Sequence, residues 1–379
     1  MINSVNSELK LKQRKILIIC IDAGSHDYLE ASDVPNIRKM AEIGFYKQAH
    51  SVIPSVTNVN NVSIVTGTFP KTHGITSNYY LDRNTGEGTY IEDSTFLLAP
   101  TIFEIAKKKK SVDKTALFVT KQKLLRILQA ETDIAVAAEA PSDEYIDAIG
   151  PVEPIYSCEI NWWLLRAVQY TLIKHNPDLV YCSTTDWVQH KYAPHEELSQ
   201  IHMFKLDKII GEIVDDNPNR EIYITADHGM EEKTAAIDPS QILKQCGISA
   251  NSIPIIKDRY EAHHSNLGGA AYVFLDHQRD LETAIQTLKN TQGIEEVYSA
   301  PDAAQIFSLH PDRIGDIFVL ADKETVFGVL DVPNEKVSLR SHGSRHESYV
   351  PIVGYNSPFS VSDFTYNLDI GRLMIDSLQ

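Results

Sequence analysis

The sequence predicts an α/β fold, with a central, mostly parallel sheet, helices on both faces and a small α+β cap inserted late in the chain. Three observations predict it. Apolar runs end repeatedly in polar, glycine-containing loops, as buried parallel strands do where they open onto a site. Segments of helical period alternate with these runs, which implies strands joined by crossover helices. The block 241–315 breaks that alternation with a strand, a helix and a strand in close succession.

Residues 1–14 read as a polar N-terminal tail. "KILIICIDAG" (15–24) is the first buried strand, and its apolar run, 16–21, is too short for a signal-peptide core. "PSVTNVNNVSIVTG" (54–67) reads as an asparagine-rich turn leading into a β-branched run. Helical period then marks "TIFEIAKKKK", whose terminal lysines suit the dipole at a helix end, and a helix beginning near Leu124. "NWWLLRAVQYTLIKH" and "HMFKLDKIIGEIV" are further helices, and "PDLVYCSTTD" (177–186), "REIYITADHG" (220–229) and "GDIFVLAD" (315–322) repeat the strand-to-loop pattern. The expected organisation is a core from 15–240 and 316–379 with the cap, 241–315, between them. Within the cap, "GGAAYVFL", "DLETAIQTLKNTQ" and "IEEVYS" supply the strand, helix and strand, and His263 and His264 read as surface residues.

The chain has 379 residues, 43% of them hydrophobic and 23% charged, enough for a sizeable core and ordinary for a globular protein. Its net charge of −16, from 35 basic and 51 acidic residues, argues against nucleic-acid or anionic-membrane partners, which need basic patches. Positive charge for an anionic substrate must then be local, from bound metal or a few lysines. No stretch approaches the roughly 20 apolar residues of a membrane helix. Cys20, Cys158, Cys182 and Cys246 are scattered and read as reduced thiols, so a cytoplasmic location is expected.

The chemistry concentrates at loop ends. In "TTDWVQHKY", Asp186 and His190 are four apart, so one helical turn puts them on one face. "TADHGM" sets Asp227 beside His228 in a glycine loop, "LRSHGS" adds His342, and the first strand ends at Asp22. Three aspartates and three histidines suffice for two divalent ions with open positions. Mixed imidazole and carboxylate suits zinc better than calcium or magnesium. A hydroxyl beside such an ion becomes a usable nucleophile, which gives Thr57 a role beyond filling a turn.

These motifs, in the order "IDAG", "PSVTNVNNVSIVTGTFPKTHGITSNYY", "STTDWVQHKYAP", "TADHGM" and "RSHGS", resemble those of the alkaline phosphatase superfamily. The resemblance is to its nucleotide pyrophosphatase/phosphodiesterase branch, and within that to phosphonoacetate hydrolases. It implies an alkaline-phosphatase-like fold and two zinc ions (Zn2+), with Mn2+ or Fe2+ as alternatives. On this pattern Thr57 is the nucleophile and Asp22, Asp227 and His228 hold the ion beside it, while Asp186, His190 and His342 hold the second. Asn78 bonds a phosphoryl oxygen, and Lys121 and Lys123 in "VTKQKLLRIL" bind a substrate carboxylate. Tyr192, His195, Arg345 and His346 depart from the pattern.

The resemblance implies a dizinc hydrolase that cleaves the carbon–phosphorus bond of phosphonoacetate, or a close carboxylated phosphonate, through a phosphothreonine. The alternative is a phosphodiesterase of the nucleotide pyrophosphatase type, whose base would sit against Tyr79, Tyr80 and Trp187. Either way the expected partner is a small anionic phosphonate or phosphoester, with a homodimer left open.

Overall fold

The computed structural model describes residues 14–83 and 85–378; positions 1–13 of the expected tail lie outside them. The strands are β1 (Ile16–Cys20), β2 (Phe45–His50), β3 (Tyr79–Leu81), β4 (Gly88–Tyr90), β5 (Thr115–Val119), β6 (Ile134–Ala137), β7 (Leu179–Ser183) and β8 (Glu221–Thr225). There follow β9 (Glu231–Ile237), β10 (Ala250–Pro254), β11 (Ala270–Leu275), β12 (Ile294–Ser299), β13 (Ile317–Ala321), β14 (Thr325–Phe327), β15 (Asn334–Ser341) and β16 (Tyr349–Tyr355). The main sheet runs β2-β16-β8-β1-β7-β5-β6. Its five strands from β8 to β6 are mutually parallel, and β16 and β2 add an antiparallel edge.

Parallel strands covered on both faces must be apolar on both, and β1, β5, β7 and β8 are buried along their whole length. Two separate apolar clusters flank the sheet. One packs Ile18, Tyr181 and Tyr223 against the helix Thr57–Thr66, and the other packs Leu17, Ile19 and Val180 against the helices Glu159–His175 and Glu197–Asp216.

Register decides where the chemistry sits. Cys20 lies opposite Ser183 on one side and Thr225 on the other, and Ser183 opposite Val119, so the carboxyl ends of β8, β1, β7 and β5 stop in line. Loops leaving those ends share one crevice, the usual ligand position in such sheets.

Two readings change. The run 315–322 was expected to rejoin the core, but β13 pairs with β11 and β12 in a four-stranded antiparallel sheet, β10-β11-β13-β12. Its buried pattern is the same in either sheet, so composition could not tell them apart. The asparagine-rich segment is no turn: Thr57–Thr66 is a helix with every residue after Thr57 buried. Asparagine is a poor helix former, so bonds to the loop just before the helix support it here. Asn60 accepts from the Val52 amide at 2.8 Å and donates to the carbonyls of Val52, Pro54 and Val56.

The helix ends at Gly67, whose φ of +62° suits glycine. It packs closely on Asp369–Ser377, where a Cβ on Gly371 would stand 1.8 Å from the Ile64 carbonyl oxygen. No helix among the described residues is long and apolar enough to cross a membrane.

Candidate active site

Each strand end delivers one part of the site. Asp227 and His228 follow β8, Asp22 follows β1, Asp186 and His190 follow β7, and Lys121 and Lys123 follow β5. Sheet order therefore becomes site order. Ligand atoms of Asp22, Asp227 and His228 all lie within 4.8 Å of one another. Of the second expected set, Asp186 Oδ2 is 3.0 Å from His190 Nε2 and 3.6 Å from His342 Nε2, but the groups whose ligand atoms all lie within 4.8 Å join Asp186 to His190 and His263, and to His228 and His342. All six side chains are buried.

The donor set fits divalent cations. His190, His228 and His342 each turn Nδ1 to a backbone carbonyl, of Arg340, Gly229 and Ser55, at 2.8, 2.9 and 2.9 Å. A carbonyl can only accept, so Nδ1 carries the hydrogen and Nε2 keeps its lone pair. Asp22 Oδ1 and His190 Nε2 are buried without a hydrogen-bond partner among the described residues, as unused ligand atoms would be. Burial, with Asp186 and Asp227 nearby, pushes the Asp22 carboxyl well above its usual range. Burial likewise works against ionisation of Asp186, whose oxygens face His190 Nε2 at 3.0 Å and His263 Nε2 at 3.5 Å.

Thr57 opens its helix, at the positive end of the dipole, which favours an ionised oxygen there and a phosphoryl group in front of it. Its Oγ1 is 3.1 Å from His228 Nε2, on the same atom that serves the first cluster. Four residues on, Asn61 donates to Asp227 Oδ2 at 3.0 Å and accepts from the Tyr181 hydroxyl at 2.7 Å. The sequence reading missed Asn61, although its i+4 spacing from Thr57 was a usable signal.

Thr57, Asn78, Lys121, Lys123, Asp22, Asp186 and His342 line one cleft, which Asp258, His263 and His264 also line. The helix behind the lysines begins at Gln122 rather than near Leu124, with Lys121 as its N-cap. His263 and His264 are not surface residues: they are 6% and 5% exposed. The segment carrying them folds over the cleft, and with no periodic pattern the sequence could not show that. His263 Nε2 lies 3.5 Å from Asp186 Oδ1 and 3.3 Å from Lys121 Nζ. Burial and the Lys121 charge lower it to about 3, so the ring is neutral.

Arg345 and His346 turn away from the centre. Arg345 makes a bidentate pair with Glu296 at 2.6 and 2.7 Å, and His346 meets Glu295 at 2.5 Å, both on β12. Tyr192 offers its carbonyl to the Tyr28 hydroxyl at 2.7 Å, and His195 is exposed.

Glu347 ties the ligand loops together. Its carboxylate accepts from the Ser344 amide and hydroxyl and from Lys233, its carbonyl accepts from the Gly229 amide, and Ser344 in turn accepts from Ser55. The side chains of Lys233 and Glu347 are both 0% exposed. Glu347→Ala would leave the buried Lys233 ammonium without a counter-charge, bonded to the Lys323 carbonyl at 2.9 Å, so we expect a loss of about 3–5 kcal/mol in urea unfolding, with reduced metal content.

This sheet, with such a cluster at its carboxyl edge, defines a hydrolase of the alkaline phosphatase superfamily, a metal-dependent class. The chain belongs to the type I phosphodiesterase / nucleotide pyrophosphatase family, whose model matches residues 16–345. It is similar to phosphonoacetate hydrolase from Sinorhizobium meliloti 1021, solved with phosphonoformate and with phosphonoacetate. The TM-score is 0.86 and the identity 31%, over 97% of this chain and 96% of that one. Murine ectonucleotide pyrophosphatase / phosphodiesterase 5, an inactive variant with AMP, shares the fold at TM-score 0.72 and 16% identity, over 97% of this chain and 95% of that one. The human bis(5'-adenosyl)-triphosphatase ENPP4 is 24% identical over 91% of this chain and 72% of its own length. The chain spans about half, 47%, of an uncharacterised pyrophosphatase/phosphodiesterase from Schizosaccharomyces pombe, at 24% identity over 60% of this chain.

Proposed function

We propose that the protein hydrolyses the carbon–phosphorus bond of phosphonoacetate, or of a close carboxylated phosphonate, to acetate and phosphate. The observation that carries this is the pair Lys121 and Lys123, set in the same cleft as Thr57 and Asn78, with Lys123 only 5% exposed. Asp258 balances Lys123 at 2.7 Å, whereas Lys121 meets the His263 ring at 3.3 Å, so one positive charge of the pair is left for an anionic group. The likeness to the Sinorhizobium enzyme solved with phosphonoacetate supports the same reading.

In this reading, Asp22, Asp227 and His228 hold one ion and Asp186, His190 and His342 the other, with two Zn2+ proposed. Such ions would supply Lewis acidity to the Thr57 hydroxyl and to water, and would neutralise phosphoryl charge. Thr57 Oγ1 attacks phosphorus in line, and Asn78 donates to a phosphoryl oxygen. The phosphorus–carbon bond breaks, and its electron pair passes into the adjacent carboxylate as an enediolate. Lys121 and Lys123 stabilise that charge, which grows in the transition state and so accelerates the step. The carbon then takes a proton to give acetate. Water attacks the phosphothreonine, releases phosphate and restores Thr57. We place the reaction in the cytoplasm, where the buried thiols of Cys20, Cys158 and Cys182 stay reduced.

The alternative substrate, a nucleotide-like diester, would call for an aromatic cradle. None of the three candidate rings is among the residues lining the cleft; Tyr79 packs edge-on to Tyr90 at 5.2 Å, Tyr80 to Phe96 at 5.3 Å and Trp187 to Tyr192 at 6.4 Å. Turnover of phosphonoacetate against a nitrophenyl phosphodiester tests the proposal. Replacing Lys121 and Lys123 with alanine should cut phosphonoacetate turnover by about 10²–10³-fold while diester cleavage survives within tenfold. A wild-type preference for the diester would overturn the phosphonate assignment.

A further inference from the structure

Asp258, carried on the segment that folds over the cleft, is 5% exposed and meets four donors with two oxygens. Its Oδ2 accepts from Lys123 Nζ at 2.7 Å and from Asn78 Nδ2 at 3.1 Å. Its Oδ1 accepts from the Tyr260 amide at 2.7 Å and faces His264 Nε2 at 3.0 Å. The His264 tautomer follows from its other nitrogen, because Nδ1 accepts from the Asn266 amide at 3.0 Å and so Nε2 must carry the hydrogen. Burial opposes a charge on Asp258, but Lys123, then His264 and Lys121, outweigh it and hold the carboxyl well below its usual range.

The Asn78 contact has a directional consequence. Asn78 Oδ1 is buried and has no hydrogen-bond partner among the described residues. What distinguishes the two ends of the amide is therefore Asp258, which attracts the NH2 group and would repel the oxygen. One hydrogen of Nδ2 goes to Asp258 and the other is left for the cleft. An amide turned the other way would present an oxygen to a phosphoryl oxygen, which is repulsive. The same carboxylate makes a buried Lys123 ammonium tolerable.

We infer that Asp258 is the positioning residue of this site, one carboxylate that orients Asn78 toward phosphorus and fixes Lys123 toward the leaving group. For the leaving-group half, the inference rests on the phosphonate reading above.

Asp258→Asn, nearly isosteric, is the test. On zinc-loaded protein, kcat/KM for phosphonoacetate should fall about 10²-fold or more and nitrophenyl diester cleavage about tenfold, because the diester loses only the Asn78 orientation. Inorganic phosphate should bind about tenfold more weakly by calorimetry. In a double-mutant cycle on the diester, Asn78→Ala should cost far less in the Asp258→Asn background than in wild type. Retention of all these properties within threefold, or equal losses on both substrates accompanied by a lowered Tm, overturns the inference. If the wild type cleaves the diester but not phosphonoacetate, the phosphonate reading fails, yet the Asn78 cycle still decides the role of Asp258: coupling supports it and additivity sinks it. Should Asp258→Asn fail to fold, His264→Ala removes one of the two donors to Asp258 Oδ1, leaving the Tyr260 amide, and is expected to give a smaller selective loss, about tenfold; no change would overturn the inference.

Discussion

Thr57→Ala is expected to abolish turnover of phosphonates and diesters alike, by roughly 10⁴-fold or more, while metal content and Tm stay near wild type. The size follows from the site. Thr57 Oγ1 stands 3.1 Å from His228 Nε2, at the start of a helix whose other residues are all buried. Deleting one hydroxyl and one methyl from the exposed end of that helix disturbs little packing. Thr57→Ser should keep measurable activity, since the attacking atom remains. A Thr57→Ala enzyme that retained a tenth of wild-type turnover would mean that water attacks phosphorus directly, and the phosphothreonine would be abandoned.

The second large effect is expected on chelation. Stripping metal should remove activity entirely and lower Tm by several degrees, with both restored by zinc. The difference in Tm should also depend on pH. Burial, with Asp186 and Asp227 nearby, raises Asp22 well above its reference of 3.8, so without a cation the folded state holds a proton that the unfolded chain releases. Stability from such a group is complete below about pH 4 and is lost as pH rises through the raised value. Metal-free protein should therefore weaken relative to loaded protein as pH rises from about 4, a trend read by comparing pH 5 with pH 8. Thermal scans at the two pH values, with and without zinc, measure this; a gap that narrowed with rising pH would contradict it.

Much of the site could be read from the chain because parallel strands deliver residues at predictable places. Asp22, Asp186 and Asp227 each stand two or three positions past a buried strand, and aligned strand ends did the rest. Side chains that depend on tertiary folding were harder to see. Asp258, His263 and His264 sit in a segment without helical or strand period, and only its docking over the cleft brings them to the lysines. The helix at Thr57 was hidden because its asparagines are poor helix formers that rely on bonds to backbone outside the helix. Arg345 and His346 depart from the family pattern beside His342, and Glu296 and Glu295 draw them outward.

The order of loops along the sheet edge also bears on how such an enzyme could diversify. In the proposed mechanism the ion beside Thr57 is held from the ends of β8 and β1, while the departing fragment is met from β5, two strands beyond β1. A lineage could therefore exchange the short stretch after β5 for another and inherit a new repertoire of leaving groups, with the older chemistry of attack passed on intact.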